Sequence, residues 1–291
     1  MVRSETIIKV LGTAQDGGVP QPNCFCSNCK DALKNPLKKR LAASLGILLP
    51  ELKKWYLIDA TPDFKDQLNM INAEHHEPQE LSGIFLTHAH IGHYPGLIFL
   101  GKEAMSAQSL PVFTGEKMHR MLKENAPWNQ LIELNNIEIH PLLPNQHPTL
   151  NVDFEITPIS VPHRNELSET FGFIISGPNK KVLYIPDIDR WEDWEHSIAE
   201  MASNVDYCLL DATFYSSDEL KRLGRNYKEI PHPYIEETMD LLQEVVDQKK
   251  CDVYFLHFNH TNPIINSESP EYKDLVKRGF KAAREGMEFI L

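Results

Sequence analysis

The sequence predicts an α/β protein built as a four-layer αββα sandwich, in which two β-sheets pack together and helices cover their outer faces. Three observations support this prediction. Short apolar, β-branched runs recur along the whole chain, segments with helical periodicity lie between them, and no long linker interrupts the succession. We therefore expect residues 1–291 to form a single domain.

Strands are predicted where the apolar runs are bounded by turn residues. These runs cover 6–12, 44–50, 54–60, 83–88, 110–114, 154–162, 169–176, 181–186, 205–211 and 252–258. The clearest helix is 234–247, where Ile235, Met239, Leu242 and Val246 recur at helical spacing. Further helices are predicted over 62–71, 95–106, 116–125 and 191–202.

The charge balance indicates what kind of partner the protein has. Lys and Arg number 29 and Asp and Glu 41, so the formal net charge is −12. This argues against nucleic acid as a partner, because polyanion binding relies on many cationic contacts to phosphates. No apolar run is long enough to cross a bilayer, so we expect no membrane association. We expect a small-molecule substrate, and a homodimer is kept as a candidate assembly.

The N-terminal segment bears on location. It lacks the long apolar stretch of a signal peptide and leads directly into the first predicted strand. We therefore expect a cytoplasmic protein, or an exported one if a native leader has been removed.

The strongest local pattern is Thr87-His88-Ala89-His90-Ile91-Gly92-His93, which follows directly after the apolar run 83–86. It presents three histidines at i, i+2 and i+5. Imidazole is the commonest neutral metal ligand, and a turn at a strand end can direct such side chains toward one ion. The alternative interpretation is three solvated histidines in a surface loop.

Three more candidate ligands each close an apolar run: His163, Asp187 and His257. Taken singly, each is more often structural. Because all three stand at predicted strand ends, we expect them to project toward a common rim together with the histidine loop.

A second candidate metal site is the cluster Cys24, Cys26 and Cys29. Spacings of two and three residues suit metal ligation better than disulfides. A closed tetrahedral zinc site needs a fourth ligand, and the alternative is three reduced thiols in a surface turn. Cys208 and Cys251 lie in apolar runs and are predicted to be buried thiols.

The order of these motifs resembles the metallo-β-lactamase superfamily. More closely, nearly the whole chain resembles the family of pyrroloquinoline-quinone biosynthesis protein B. A second relative is the cyclic phosphodiesterase of the carbon–phosphorus lyase pathway, which shares the cysteine cluster. Besides the histidine loop and the cysteines, the resembling pieces are 11–21, 210–214, 259–264 and 286–288.

The resemblance implies one or two catalytic metals (Zn, Mn or Fe). The implied ligands are His88, His90 and His163 for the first metal, Asp187 bridging toward the second, and His93 and His257 for the second. Asp59 matches the buried aspartate of the superfamily that orients the histidine loop, a type of residue that usually matters nearly as much as a ligand.

The phosphodiesterase relative also implies the fourth ligand of the cysteine cluster. There it is a histidine three residues after the last histidine of the catalytic site. This chain has His260 three residues after His257, so the resemblance implies a structural zinc held by Cys24, Cys26, Cys29 and His260.

Two departures from the family patterns matter. The superfamily often has Asp directly before the third histidine, where it ligates the second metal, but this chain has Gly92 there. We therefore expect a weaker second site or a single tightly bound metal. Members of the quinone-biosynthesis family typically lack the complete histidine loop, whereas this chain has all three histidines, which favours a hydrolase.

Three further residues keep open interpretations. His232 precedes the helix 234–247, and its position resembles that of a phosphate-binding or proton-donating histidine in phosphodiesterases of this fold, or it simply caps the helix. Asp16 stands in a tight turn or in the substrate pocket. Asp211 is given no role beyond capping or surface charge.

Three functions follow as hypotheses. The first is hydrolysis of a phosphodiester or other ester-like substrate by a metal-activated water, with Asp187 and His232 as catalytic residues and Asp59 as their support. The second is an iron-dependent oxygenase acting on a tyrosine-derived precursor, since histidines plus a carboxylate also suit iron(II). The third is a non-enzymatic metal-binding scaffold, which would leave the histidine site empty beside an occupied cysteine site.

Overall fold

The strands of the protein lie in two mixed sheets. The computed structural model describes residues 5–73, 77–150, 152–222, 224 and 230–291. The first half of the chain contributes β1 (Ile7–Gly12), β2 (Ser44–Leu49), β3 (Lys54–Ile58), β4 (Glu80–Phe85), β5 (Leu110–Thr114) and β6 (Ile137–Pro141). The second half contributes β7 (Glu155–Ser160), β8 (Phe171–Ser176), β9 (Lys181–Ile185), β10 (Tyr207–Asp211), β11 (Asp252–Leu256), β12 (Lys281–Ala282) and β13 (Glu288–Ile290). The sheet orders are β13-β1-β2-β3-β4-β5-β6 and β12-β11-β10-β9-β8-β7.

The helices lie between these strands in the chain. The α-helices are α1 (Ser27–Lys34), α2 (Phe64–Ala73), α3 (Glu116–Glu124), α4 (Trp128–Glu133), α5 (Ile198–Ala202), α6 (Ser217–Arg222), α7 (Ile235–Asp247) and α8 (Pro270–Lys277). Short 3₁₀ helices cover Pro36–Lys38, Pro50–Leu52, Pro95–Leu100, Trp191–Asp193 and Pro263–Ile265. None of the helices in the described ranges is long and apolar enough to span a membrane.

Alternation along the strands produces three apolar layers. In β3, Tyr56 and Ile58 pack between the two sheets, whereas Trp55 and Leu57 face the helices outside the first sheet. In β10, Leu209 points between the sheets. Burial of both faces of each sheet requires helices on both outer sides. The fold is therefore the four-layer αββα sandwich that the sequence predicts.

The two sheets repeat one topological pattern. Going inward from β1 or from β7, two antiparallel pairings are followed by two parallel ones. These are β3 with β4 and β4 with β5 in the first sheet, and β9 with β10 and β10 with β11 in the second. The carboxyl ends of parallel strands meet at one edge of a sheet, which is where ligands of α/β proteins usually bind. Asp59, Thr87, Asp187, Asp211 and His257 all stand at or just beyond such ends.

Two of these strand ends carry an unusual backbone conformation. Asp59 has φ 66° and His257 has φ 63°, both in the left-handed region that residues other than glycine rarely adopt. Such conformations cost on the order of 1–3 kcal/mol and tend to occur at functional sites. At both positions the turn ends the strand and directs the side chain over the edge of its sheet.

Two predicted helices are wrong. The segment 95–106 contains only the 3₁₀ helix Pro95–Leu100, because Gly96 lies directly against the loop after β3, where its N–H donates to Ala60 O at 2.9 Å. The segment 191–202 is divided into a 3₁₀ turn and α5, since the buried ring of Trp194 donates from Nε1 to Ser160 O at 2.7 Å and fixes the chain between them.

Candidate metal centre

The carboxylate of Asp187 lies at the centre of the strand-end cluster and is buried. Nitrogen atoms of five imidazoles surround its Oδ2: His163 Nε2 at 3.2 Å, His88 Nε2 at 3.4 Å, His257 Nε2 at 3.8 Å, His90 Nδ1 at 3.9 Å and His93 Nε2 at 4.0 Å. Imidazole and carboxylate are the donors that Zn, Mn and Fe share. The structure thus brings together the dispersed candidates His163, Asp187 and His257 and the histidine loop.

The first sheet fixes the orientation of two of these rings through Asp59. The buried Asp59 carboxylate accepts hydrogen bonds from His93 Nδ1 at 2.7 Å and from Thr87 Oγ1 at 2.9 Å. The Thr87 hydroxyl in turn lies 3.0 Å from His88 Nδ1 and accepts its proton. With the Nδ1 atoms protonated, the Nε2 lone pairs of His88 and His93 face the centre.

The second sheet repeats this device through Asp211. Thr213 Oγ1 donates to Asp211 Oδ1 at 2.8 Å and lies 3.0 Å from His257 Nδ1, whose proton it accepts. A further carboxylate, Asp189, accepts from His163 Nδ1 at 2.8 Å. In each case the Nδ1 contact favours, for the neutral ring, the tautomer whose Nε2 lone pair faces the centre.

Several buried atoms that face this space have no hydrogen-bond partner among the described residues. They are the Nε2 atoms of His88, His93 and His257 and the Oδ1 atoms of Asp16 and Asp187. Leaving a buried acceptor unpaired costs about 1–3 kcal/mol, so converging orphans at one point indicate an absent partner. A cation fits all of them, because each offers a lone pair.

The charge states of the metal-free centre agree with a cation site. Burial would raise the pKa of Asp187, but the neighbouring imidazoles of His163 and His257 hold that pKa well below its usual range. Burial lowers the pKa of His88 and of His257, so these rings are neutral. Against burial, Asp187 and Asp189 raise the pKa of His163 to about 10, so metal binding there must displace a proton.

Besides Asp187, Asp211 and His232, whose donor atoms also lie within 4.8 Å of one another, the ligand candidates of the histidine cluster form two groups. His88, His90, His163 and Asp187 offer donor atoms that lie within 4.8 Å of one another. A second set is formed in the same way by Asp16, His93 and His257. The two groups meet at Asp187, which is within 4.0 Å of donors in both.

A cavity of about 380 Å³ opens onto the centre. Its lining residues are Gln15, Asp16, His90, Ile91, His163, Arg164, Asp187, Ile230 and His232. His232 Nδ1 lies 2.8 Å from Asp211 Oδ2 and 3.3 Å from Asp187 Oδ1, so its ring is held from one side. Burial opposes protonation, yet Asp211 and Asp187 raise the pKa of His232.

The cysteine cluster is a separate group. Its fourth member, His260, lies in the loop that follows β11, three residues after His257. Sγ atoms of Cys24, Cys26 and Cys29 lie 3.3, 3.6 and 3.6 Å from His260 Nδ1. Burial raises the pKa of the Cys29 thiol to about 12, so a cation is needed to make its thiolate stable. The four donors are mutually within 4.8 Å, a spacing that suits tetrahedral ligation.

The sequence gives no firm role to Asp16 or Asp211, and it does not single out Asp189 at all. Asp16 lies both in a tight turn and in the pocket. The turn is closed by a hydrogen bond from Gly18 N to Gln15 O at 2.8 Å, and Asp16 also lines the cavity. Asp211 and Asp189 hold His232 and His163. The available signal for Asp211 was its place at the end of the apolar run 205–211, the same signal that identified Asp187.

Replacing Asp59 by asparagine is expected to weaken metal binding at the histidine cluster by about 10–100-fold, because an amide presents a donor where His93 Nδ1–H and the Thr87 hydroxyl need an acceptor. Titration against a metal-buffering chelator measures this. Asp63→Asn is the matched control, since the half-buried Asp63 carboxylate accepts from Ala42 N outside the cluster. Equal affinities in the two variants would contradict the orienting role.

A family model and relatives of known name match most of this chain. A family model described as "Beta-lactamase superfamily domain" matches residues 54–258. Coenzyme PQQ synthesis protein B of Methylococcus capsulatus is 28% identical over 315 residues, covering 98% of this chain and 100% of that protein. The protein of the same name from Pseudomonas syringae pv. tomato is 28% identical, with coverage of 98% and 99%.

Solved structures share the fold. Zn²⁺-bound PqqB from Methylobacterium extorquens has a TM-score of 0.81 at 22% identity, covering 98% of this chain and 100% of that one. A diphosphatase from the PhnP family has a TM-score of 0.68 at 22% identity, covering 99% and 97%.

Proposed function

Because this chain belongs to the beta-lactamase superfamily, we propose that it is a metal-dependent hydrolase that cleaves a small phosphodiester or a similar ester. One observation carries the proposal: the buried Asp187 carboxylate lies among imidazole nitrogens whose lone pairs converge beside an open cavity. This donor set suits Zn, Mn or Fe.

His88, His90, His163 and Asp187 would hold the first metal, and His93 and His257, with Asp187 close to both, would hold a second one. When bound, the metal would supply Lewis acidity and lower the pKa of a coordinated water toward neutrality. Asp187 orients the rings around it through its charge. Asp59, Asp189 and Asp211 keep the rings in the tautomer that ligation requires.

The cavity supplies groups suited to an anionic ester. Arg164 lines it and is exposed, so its guanidinium can pair with a phosphate oxygen. His232 lines the same cavity, and its Nδ1 is held by Asp211 and Asp187. Its other ring nitrogen is then available to give a proton to the leaving oxygen as the phosphorus–oxygen bond breaks.

A structural zinc at Cys24, Cys26, Cys29 and His260 is part of the same proposal. The support is the convergence of three sulfurs on His260 Nδ1, together with Asn28 Nδ2, which donates to His260 O at 3.0 Å. Such a zinc would fix the N-terminal loop against the loop that follows β11, which carries His257.

The test is turnover of the full chain loaded separately with Zn, Mn or Fe(II), using bis(p-nitrophenyl) phosphate and natural phosphodiesters as substrates. We expect hydrolysis with Zn or Mn and no oxygen consumption. The control is the same chain after removal of metal by chelation, which should be inactive. No hydrolysis with any metal would overturn the proposal.

An iron-dependent oxygenase acting on a tyrosine-derived precursor is the second candidate. It is favoured by the likeness, over nearly the full length of both chains, to proteins named for coenzyme PQQ synthesis. Oxygen uptake with Fe(II) and a tyrosine-derived peptide, without hydrolysis of phosphodiesters, would identify this function instead.

Replacing His232 by glutamine is expected to lower kcat by about 10²–10⁴-fold for phosphodiesters with an alkoxide leaving group, because that oxygen must be protonated. The loss should be small with p-nitrophenolate, which leaves without a proton. Metal content should not change, since other residues hold the proposed metals and His232 Nδ1 is engaged by its hydrogen bond to Asp211. Steady-state kinetics on the two substrate types measures the difference, and equal losses on both would exclude proton donation.

A further inference from the structure

Gly92 was expected to leave the second metal position short of a carboxylate. We infer that Asp16, from a turn 76 residues earlier in the chain, supplies that carboxylate and completes a second metal site with His93, His257 and Asp187. This inference rests on the proposed metal centre and adds a ligand to it.

The first support is the geometry of the donor atoms. Asp16 Oδ1 lies 3.7 Å from His93 Nε2, and one donor atom each of Asp16, His93 and His257 lie within 4.8 Å of one another. The 3.7 Å separation suits two ligands of one cation, since metal–ligand bonds of about 2.0–2.2 Å place donors roughly 3–4 Å apart, and the His257 donor lies within 4.8 Å of both.

The second support is the lack of other partners. Asp16 Oδ1 and the Nε2 atoms of His93 and His257 are buried and have no hydrogen-bond partner among the residues that the structure describes. His93 and His257 are each 1% exposed. Buried polar atoms without partners are unfavourable, and one cation between these three would satisfy all of them.

The third support is the space around Gly92. A Cβ atom added at this residue would lie 2.0 Å from Asp16 Oδ1 and 2.8 Å from Asp16 Cα. A side chain at position 92 and the Asp16 carboxylate therefore exclude each other. Glycine at position 92 leaves room for the Asp16 carboxylate to enter from the neighbouring loop. In this chain the carboxylate of the second site therefore comes from Asp16 and not from residue 92.

The loop that carries Asp16 is fixed from several sides. Gln15 N donates to Phe258 O at 2.9 Å, and Phe258 N donates to Thr13 O at 2.9 Å. These bonds join the turn of Asp16 to the residue directly after His257. Asp16 and His257 are thus held as one unit, which is the arrangement that a shared ion requires.

The experiment counts metals bound to the full chain by elemental analysis after equilibrium dialysis against Zn²⁺, compared with Asp16→Ala. We expect the wild type to bind two equivalents at the histidine cluster besides the one at the cysteine cluster, and the variant to lose one. Gly92→Ala is expected to lose the same equivalent, because its Cβ displaces the Asp16 carboxylate. Gln15→Ala, in the same turn and cavity, is the matched control and should lose none.

Loading with Co²⁺ keeps the test decisive if a variant is poorly folded. The sulfur-to-cobalt absorption of the cysteine cluster reports an intact fold independently of the histidine cluster. With this band retained, a full metal complement and unchanged affinity in Asp16→Ala would overturn the inference, as would a wild type that binds only one metal at the histidine cluster. If the proposed hydrolase activity is absent while Asp16→Ala still loses one equivalent, the ligand assignment stands and only the function fails.

Discussion

Replacing Asp187 by alanine is expected to lower kcat/KM by about 10³-fold or more while the protein stays folded. The Asp187 carboxylate has imidazole nitrogens of both ligand groups within 4.0 Å of its Oδ2. In the proposed centre, its loss would remove a ligand shared by both metals and the negative charge that the surrounding rings face. Metal-ion catalysis contributes several kcal/mol of transition-state stabilisation, and each factor of ten in rate corresponds to about 1.4 kcal/mol.

The measurement is steady-state kinetics combined with metal analysis on the same preparation. Asp189→Ala is the matched control, because Asp189 contacts the same His163 ring from its Nδ1 side at 2.8 Å but does not face the centre. We expect only about a 10–100-fold loss in that control. Full activity of Asp187→Ala with normal metal content would contradict the proposed mechanism.

The second large effect concerns the cysteine cluster. Cys26→Ser is expected to lose one zinc equivalent and to lower Tm by on the order of 10 °C, because loss of a metal is among the few changes that cost about 4–5 kcal/mol. Cys26 is half-buried, so its own packing contributes little to this loss. Differential scanning calorimetry with metal analysis measures both quantities.

The control for this variant is Ser27→Ala, the exposed residue directly after Cys26 that begins α1, which should keep its zinc and its Tm. Activity should fall in Cys26→Ser as well, since the cluster connects the loop of Asp16 with the loop of His257. A variant with unchanged Tm and unchanged zinc content would show that the three thiols do not bind a structural ion.

The sequence predicts the sites best where their residues are neighbours in the chain. The histidine loop and the cysteines are recognisable from spacing alone, and His163, Asp187 and His257 from their places after apolar runs. The role of Gly92 could not be predicted from spacing or from apolar runs. It depends on the Asp16 turn, which reaches the loop of Gly92 only through the tertiary fold.

The same limit applies to the fold. Long apolar runs such as β2 and β10 are predicted because both of their faces are buried, whereas short edge strands such as β12 and β13 carry little apolar signal. The helix predicted over 95–106 is wrong because its residues contact the loop after β3 through Gly96, a tertiary contact that local periodicity does not reveal. The single-domain organisation and the homodimer stay predictions.

The most direct test of the metal centre is a crystal structure of the metal-loaded chain, with anomalous scattering measured at the absorption edge of each metal. We expect one peak bounded by His88, His90, His163 and Asp187, a second beside it near Asp16, His93 and His257, and a separate zinc peak at the cysteine cluster. An occupied cysteine cluster beside a histidine cluster without any anomalous peak would contradict the account and indicate a metal-binding scaffold instead of an enzyme.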